Sequence, residues 1–308
     1  FMKKQGGKVL GATVARWKER GFIGAVLAYP LLLFIVFYIV VNFNSFLLAF
    51  QRVDINYNYV FNGVENFKQV FSDLVSKDNR TLSLAVINSF LMFIFVTGIG
   101  MPLNLIWGYM IFRKWRGTAA FRLIVMLPSI ISGMLMALMF QKLMYALPSM
   151  LKTIGIDFPH MMTDPNYVFG MTVFYSLWTG FGSAVVMYPN IMANIDKEII
   201  EAGRIDGCNS LQELWHIIIP LILPTIATFM VTGVAGIFNN MGPNYTFWDT
   251  SAPPEATNVG YLIYARVLRN GAAEYGYTSA LGLCCTLVAF PITLLVKYIF
   301  DKVDPVND

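Results

Sequence analysis

Charged side chains are scarce in this chain of 308 residues. Only 13% of its residues are Asp, Glu, Lys or Arg, whereas 56% are hydrophobic and the mean hydropathy is +0.59. Soluble domains carry about 25% charged residues. The composition therefore excludes an ordinary soluble domain and predicts a protein that lies in lipid.

Six long windows contain no charged residue at all. Each is at least as long as the roughly 17 residues that a helix needs to cross a bilayer core of roughly 30 Å. The windows are residues 21–51, 81–112, 123–141, 165–195, 217–248 and 275–296. The sequence therefore predicts an all-α polytopic membrane protein with six transmembrane helices. The first window follows basic residues as a signal peptide would, but it is too long for one, so we interpret it as a retained span.

Several other residue types and motifs are rare or missing. The windows lack the intramembrane acids and bases that ion-coupled secondary transporters often use, which argues against that class. The two histidines, His160 and His216, fall on opposite predicted sides of the membrane, which argues against a membrane enzyme. Three cysteines, Cys208, Cys284 and Cys285, provide no disulfide framework. The sequence has no G-x-x-x-x-G-K-[S/T] phosphate loop, so we expect this chain not to bind ATP in the usual P-loop manner.

The distribution of basic residues predicts the orientation in the membrane. Fourteen of the 22 lysines and arginines fall on one side of the predicted spans, which should be the cytoplasmic side. Both termini are then cytoplasmic, with a basic arm at 1–20, one membrane domain at 21–300 and a short tail at 301–308. Anchoring to membrane lipid explains the net charge of +4, which therefore gives no case for nucleic-acid binding.

The external connections at 52–80, 142–164 and 249–274 are longer than tight turns and need structure of their own. The last of them carries apolar residues on one face between residues 258 and 270, and Gly271 follows as a helix cap. We predict a short external amphipathic helix there.

The loop at 196–220, between the fourth and fifth spans, combines charge, turn residues and amphipathic patterning. Asp196 can cap a first helix, and Gly207 can end it in the left-handed conformation that glycine adopts cheaply. Ser210 and Glu213 have the spacing of a capping box for a second helix. The loop should be a rigid helix-turn-helix with its apolar side toward the membrane. Its apolar residues are Ile199, Ile200, Ile205, Leu211, Leu214, Trp215 and Ile218.

Acidic residues outnumber basic ones in this loop, against the trend on its side of the membrane. A solvated polar face and a partner that presents arginine or lysine explain this equally well. His216 is interpreted as a surface residue, and titration against Glu213 is the alternative.

The loop resembles the EAA loop of permeases from type I ATP-binding-cassette (ABC) importers. The residues at the motif positions are Glu201, Ala202, Gly203, Gly207, Ile217 and Pro220, at the family's spacing. Gly203 replaces the second alanine, and Ile219 replaces a leucine. The resemblance implies a coupling helix that sits in a cleft of the ATPase subunit. Glu201 is then expected to pair with a basic ATPase residue, while Asp206 and Gly207 shape the turn.

Weaker motifs resemble the carbohydrate-importing branch, which includes the maltose and glycerol-3-phosphate permeases. They are Val64-Glu65-Asn66-Phe67, Gly242-Pro243 and the stretch GYTSA at 276–280. The resemblance implies a heterodimer with a second permease, two ABC ATPases that bind Mg-ATP, and an external solute-binding protein. It further implies that this chain is not an enzyme, holds no cofactor and carries an oligosaccharide across a bacterial plasma membrane. An amino acid or a polyamine remains the alternative solute.

Aromatic rings and amides near the middle of spans four and five are candidates for contact with a sugar. The candidates are Tyr175, Trp178, Tyr188, Asn190, Asn239 and Asn240. Packing and interhelical hydrogen bonding are the alternative explanation for each, and the more common one in membrane bundles. Asn239 and Asn240 are favoured, because two adjacent amides within a span need partners.

Overall fold

A computed structural model describes residues 21–54, 58–76 and 80–303 of the protein. The predicted cytoplasmic arm at 1–20 and residues 304–308 of the predicted tail lie outside the described residues.

Helices form nearly all of the described structure. They are α1 (Gly21–Ala49), α2 (Glu65–Val75), α3 (Thr81–Phe112), α4 (Thr118–Ile130), α5 (Gly133–Thr153), α6 (Pro165–Met192), α7 (Lys197–Ile205), α8 (Ser210–Ala235), α9 (Asn244–Trp248), α10 (Val259–Asn270) and α11 (Tyr275–Val303). Strands β1 (Gln51–Val53) and β2 (Tyr59–Phe61) pair antiparallel in the first external connection.

Five helical segments of the described chain are long and apolar enough to cross a membrane. They are α1, α3, α5, α8 and the continuous α10–α11 segment. Helix α6 makes a sixth span when the two halves beside its 45° bend are counted together. The prediction of an all-α protein with six spans is therefore confirmed.

The sequence predicted that the third charge-free window forms one helix. The structure divides it into two. Ile131 and Ser132 have extended backbone conformations, with ψ angles of 144° and 129°, and they separate α4 from α5. β-branched residues are weak helix formers, and serine is a preferred residue at the start of a helix. The break therefore has a local cause, but the uniformly apolar composition of the window conceals it.

Helices α3 and α6 lie side by side and run parallel. The rings of Phe95 and Phe169 are 6.3 Å apart, and the position of a Cβ on Gly108 would be only 2.6 Å from Cβ of Tyr188. Small residues let membrane helices approach this closely. The parallel arrangement brings the end of α3 and the loop after α6 to the same end of the bundle.

The opposite end carries the external connections, and the last of them is hydrogen-bonded to α3. Asn88 of α3 donates hydrogen bonds to the carbonyls of Pro254, Glu255 and Thr257 at 2.9 to 3.2 Å. The predicted amphipathic helix is confirmed as α10, in which Val259 and Leu262 are buried. Gly271 follows it with a φ of 60° and a ψ of −138°, so it ends the helix in a conformation that favours glycine, although not the left-handed helical one.

Candidate functional site

The loop after α6 is a helix-turn-helix, as predicted. Asp196 stands at the start of α7, although its side chain makes no capping hydrogen bond there. Gly207 has a φ of +85°, in the left-handed region, and its N–H donates to the carbonyl of Arg204 at 3.1 Å. Cys208 N–H donates to the carbonyl of Gly203 at 3.0 Å and closes the turn.

The capping box of α8 lies one residue earlier than the sequence analysis placed it. The Asn209 side chain accepts from Gln212 N–H, and the Gln212 side chain accepts from Asn209 N–H, both at 2.9 Å. The pairs Asn209–Gln212 and Ser210–Glu213 both have the required spacing. Asparagine is at least as good a cap as serine, and this choice frees Glu213 to point inward.

Glu213 is buried, with 1% of its surface exposed, and it lies between two arginines. Its Oε2 accepts from Arg113 Nη1 at 3.1 Å and from Arg204 Nε at 3.0 Å. Arg204 Nη2 also donates to Oε1 at 3.4 Å, so the Arg204 guanidinium meets the carboxylate with two nitrogens. The hydrogen bond to Glu213 raises the pKa of Arg204 above its ordinary value. The sequence analysis placed Glu213 in a capping box and missed this cluster.

Helix α8 widens into a π-helical segment over Glu213–Ile218. Pro220 has no backbone N–H, and a proline ring crowds the carbonyl four residues earlier, here that of His216. The preceding turn therefore cannot keep α-helical hydrogen bonding. The segment buries Glu213, Leu214 and Ile218, whereas His216 faces outward and contacts the Gln212 carbonyl at 3.2 Å.

The predicted apolar side of the loop is only partly turned inward. Ile200, Leu214 and Ile218 are buried, but Ile205, Leu211 and Trp215 are exposed by 86%, 66% and 56%. The exposed acids Glu198, Glu201 and Asp206 belong to the same loop. Exposed apolar side chains rimmed by polar ones are typical of a protein interaction surface. We call these six residues the outer face of the loop.

The motif residues on the inner side of the loop meet each other. Ile217 Cδ1 occupies the space where a Cβ on Gly203 would lie. Glycine at 203, which departs from the family's alanine, therefore matches the large side chain at 217. Ala202 is exposed beside Glu201, and Pro220 is half-buried in α8.

A cleft of about 580 Å³ lies where α4 gives way to α5. Its walls come from this break, from α6, from α3 and from the turn after α8. Tyr175, Ser176 and Thr179 of α6 face Asn240 across it, so two of the predicted sugar-contact residues share one cavity. Ser129, Thr246 and Val96 line it as well.

Asn239 and Asn240 do not lie within a transmembrane helix, as the sequence analysis assumed. Helix α8 ends at Ala235, and both asparagine N–H groups donate back to the Gly236 carbonyl in a turn. The Asn240 side chain accepts from Gly242 N–H at 2.8 Å, where Gly242 has a positive φ. For Asn240, the backbone N–H of Gly242 therefore supplies a side-chain hydrogen bond that was expected from a neighbouring helix.

The other candidates for sugar contact are spread over separate places. Trp178 lines a different, apolar groove beside Phe140. Tyr188 is buried against α3 and Phe229, with ring centroids 5.9 Å apart, and Asn190 lies exposed in a shallow groove. Successive residues of a helix point in directions about 100° apart, so one helix cannot aim all of them at one cavity.

Together, the six spans, the structured loop and the cleft define an integral membrane protein with a helix-turn-helix loop at one end. Residues 81–306 match the family model described as "Binding-protein-dependent transport system inner membrane component", and the chain belongs to that family. It is thus a multi-pass subunit of a transport system, in a family of permeases rather than catalytic enzymes.

Among curated proteins, the multiple sugar-binding transport system permease protein MsmF of Streptococcus mutans is 24% identical over 87% of this chain and 91% of its own length. The arabinooligosaccharides transport system permease protein AraP of Halalkalibacterium halodurans is also 24% identical, over 86% and 84%. Among solved structures, a chain of a bacterial alginate ABC transporter in complex with an alginate-pentasaccharide-bound periplasmic protein matches with a TM-score of 0.74 and 21% identity. The match covers 94% of this chain and 96% of that one, and it supports the fold.

Proposed function

We propose that this chain is the transmembrane permease subunit of an ATP-driven importer for a carbohydrate, most simply an oligosaccharide. The observation that carries the proposal is the rigid loop, whose outer face presents apolar and acidic side chains away from the bundle. Relatives with sugar and arabinooligosaccharide permease names support the carbohydrate class. The external solute-binding protein is proposed from the family and from the complex of the structural neighbour.

The outer face is the proposed contact with the ATPase. Ile205, Leu211 and Trp215 would enter a cleft of that subunit, and Glu201 would pair with an arginine or lysine there. Two ABC ATPases would bind Mg-ATP and drive the loop as they close. Gly207 gives the loop its sharp turn, so that a push on α7 moves the loop as one body.

The cleft beside the α4–α5 break is the proposed part of the solute pathway. Broken helices at membrane depth are tolerated where they line a cavity, and they mark substrate sites in transporters. Tyr175, only 6% exposed and packed on Phe140 and Phe247, supplies apolar surface to the cleft wall, and the Asn240 amide and several hydroxyls offer hydrogen bonds. A carbohydrate, with alternating apolar and hydroxyl surfaces, fits this lining.

Helix α1 supports the proposal of a second permease subunit. Its most apolar stretch contains no buried residue, whereas its last turn packs on α11 with Ala49 fully buried. Its exposed residues include aromatic rings such as Phe34 and Tyr38, which stack 5.0 Å apart. A partner permease, with lipid around it, would cover this helix in a heterodimer.

The proposed location is the bacterial plasma membrane, with the loop of α7 and both termini on the cytoplasmic side. The distribution of lysine and arginine supports this orientation. The connection after α3 contacts the loop at one end of the bundle, which is consistent with this orientation.

The proposal is tested by uptake into proteoliposomes that contain the full complex, with ATP inside and the loaded binding protein outside. We expect uptake of a neutral oligosaccharide such as an arabino- or malto-oligosaccharide, and none of amino acids or polyamines. Asn240→Ala should raise the KM for uptake, whereas the matched variant Asn190→Ala, outside the cleft, should not. Uptake of an amino acid or a polyamine alone would overturn the carbohydrate class but would retain the assignment of the chain as an importer subunit.

A further inference from the structure

Glu213 is the one charged residue in the buried set of the described chain. Burying a carboxylate costs several kcal/mol of solvation, and an apolar trio of similar volume is often as stable as a buried ion cluster. A buried carboxylate between two arginines is therefore poorly explained by stability alone. It does provide directional contacts of fixed geometry, which apolar packing does not.

The three residues of this cluster belong to three different elements. Arg113 directly follows α3, Arg204 lies in the last turn of α7, and Glu213 begins the π-helical segment of α8. Arg113 and Glu213 are 100 residues apart in the chain, so their contact is made by the tertiary fold. One carboxylate thus joins the outer loop to the end of a transmembrane helix.

The geometry suits transmission of a displacement rather than loose attraction. Arg204 uses Nε and Nη2 on the two carboxylate oxygens, which fixes the orientation of the pair as well as its distance. Arg113 Nη1 contacts both oxygens at 3.1 and 3.4 Å. The Arg113 side chain is 23% exposed and that of Glu213 only 1%, so water screens this link weakly.

Helix α3 leads from this cluster to the cleft. Its residue Val96 forms part of the cleft wall, and its glycines bring it against α6, which supplies Tyr175 to the same cleft. Helix α3 is continuous over Thr81–Phe112 and through Pro102, so a displacement at its Arg113 end would be carried to Val96 and change the cavity. Packed helices transmit such shifts, since close-packed interiors deform little.

We propose that Arg113, Glu213 and Arg204 form a clamp that makes α3 move together with the outer loop, so that Glu213 is a positioning residue for coupling. This inference rests on the proposed function, because the displacement starts where the ATPase binds. Loss of the clamp should leave ATP hydrolysis in place but disconnect it from the cleft.

The first test compares uptake with ATP hydrolysis in the reconstituted complex. Glu213→Gln keeps the shape of the side chain and removes its charge. Arg204→Lys keeps the charge and removes the contact that two guanidinium nitrogens make with the carboxylate. We expect about a tenfold fall in solute carried per ATP, the size of an ordinary coupling between sites, with hydrolysis within about twofold of wild type. Arg113→Gln combined with Glu213→Gln should be no worse than either change alone, because the residues act as one unit. The control is Arg116→Gln, an exposed arginine three residues further on.

The second test needs no transported solute and so separates the clamp from the substrate assignment. Spin labels at Ile94 on α3 and Lys197 on α7, both exposed and both outside the outer face, report the distance between α3 and the loop in the complex with and without Mg-ATP. In the wild type this distance should stay constant, and in Glu213→Gln it should shift or broaden when ATP binds. A distance that behaves identically in both proteins would overturn the clamp. In the first test, the clamp would also be overturned if uptake and hydrolysis both fell in proportion to a smaller amount of assembled complex. A distance that is constant in the wild type and changes in Glu213→Gln, without uptake of any oligosaccharide, would retain the clamp and reject the substrate class.

Discussion

Gly276, in the first turn of α11, is expected to be intolerant of even one added methyl group. A Cβ there would meet the carbonyl oxygen of Gln51 and would lie 2.8 Å from Asn66 Nδ2. Asn66 is buried, and its Nδ2 donates to the carbonyls of Ala49 and Gln51, each at 2.8 Å. The site therefore joins α1, β1, α2 and α11, and its closest neighbour is backbone that cannot turn away.

The cost of Gly276→Ala has two parts. Overpacking of a filled site costs typically 1–3 kcal/mol, and the displaced Asn66 amide would lose about 1 kcal/mol for each hydrogen bond it gives up. We expect a destabilisation of about 2–4 kcal/mol. Gly282→Ala is the matched control in the same helix, since a Cβ there has no atom within 4 Å. That change should be neutral or stabilise by up to about 1 kcal/mol through helix propensity.

The assay is the unfolding free energy of the purified protein in detergent, from denaturant titration of each variant. Melting temperatures of the two alanine variants give a second, independent comparison. Equal stability of Gly276→Ala and Gly282→Ala would refute the close approach of α11 to Gln51.

Three further predictions concern the loop, the external cap and the cleft. Gly207→Ala should destabilise the turn by about 1–2 kcal/mol, and Gly207→Asn by less, because a positive φ penalises a Cβ and asparagine tolerates it best. The rate of protease cleavage of the loop at 196–210 measures the order of stability of these variants. Asn88→Ala removes the donor to three carbonyls and should lower the free energy of local unfolding of the connection at 249–258 by about 1–3 kcal/mol, which makes it more susceptible to proteases. The control Asn42→Ala, whose amide bonds only within α1, should not have this effect. Tyr175→Ala should raise the KM for oligosaccharide uptake about tenfold, the equivalent of 1.4 kcal/mol, whereas exposed Phe174→Ala should leave it unchanged. Unchanged cleavage in Asn88→Ala or equal KM values in the two aromatic variants would contradict the respective assignment.

Local signals in the sequence predicted the elements that depend on local chemistry. Charge-free windows gave the spans, and the glycines at 207 and 271 marked turns that the structure places at positive φ. The amphipathic pattern after residue 258 predicted α10 because that helix buries one face against its own domain. In each case the determining residues lie within one or two turns of each other.

Features that depend on distant contacts were not predictable in this way. Glu213 satisfies a local capping pattern, and only its contact with Arg113 from another helix reveals that it is buried. The break at Ile131–Ser132 lies inside a uniformly apolar window, where composition cannot separate one helix from two. The turn that removes Asn240 from α8 depends on Gly236 and Gly242, which in membrane helices also serve close packing. The assembly of the cleft from this break and this turn followed from no single segment.

The most direct test of the central claim is the ATPase activity of the reconstituted complex, measured with and without oligosaccharide-loaded binding protein. The wild-type complex should be stimulated by the loaded protein. Glu201→Ala and Gly207→Pro should abolish the stimulation or the assembly, whereas Asp157→Ala, an exposed acid in the connection between α5 and α6, should behave as wild type. Full stimulation in both loop variants would contradict the assignment of the loop at 196–220 as the site that couples this permease to ATP.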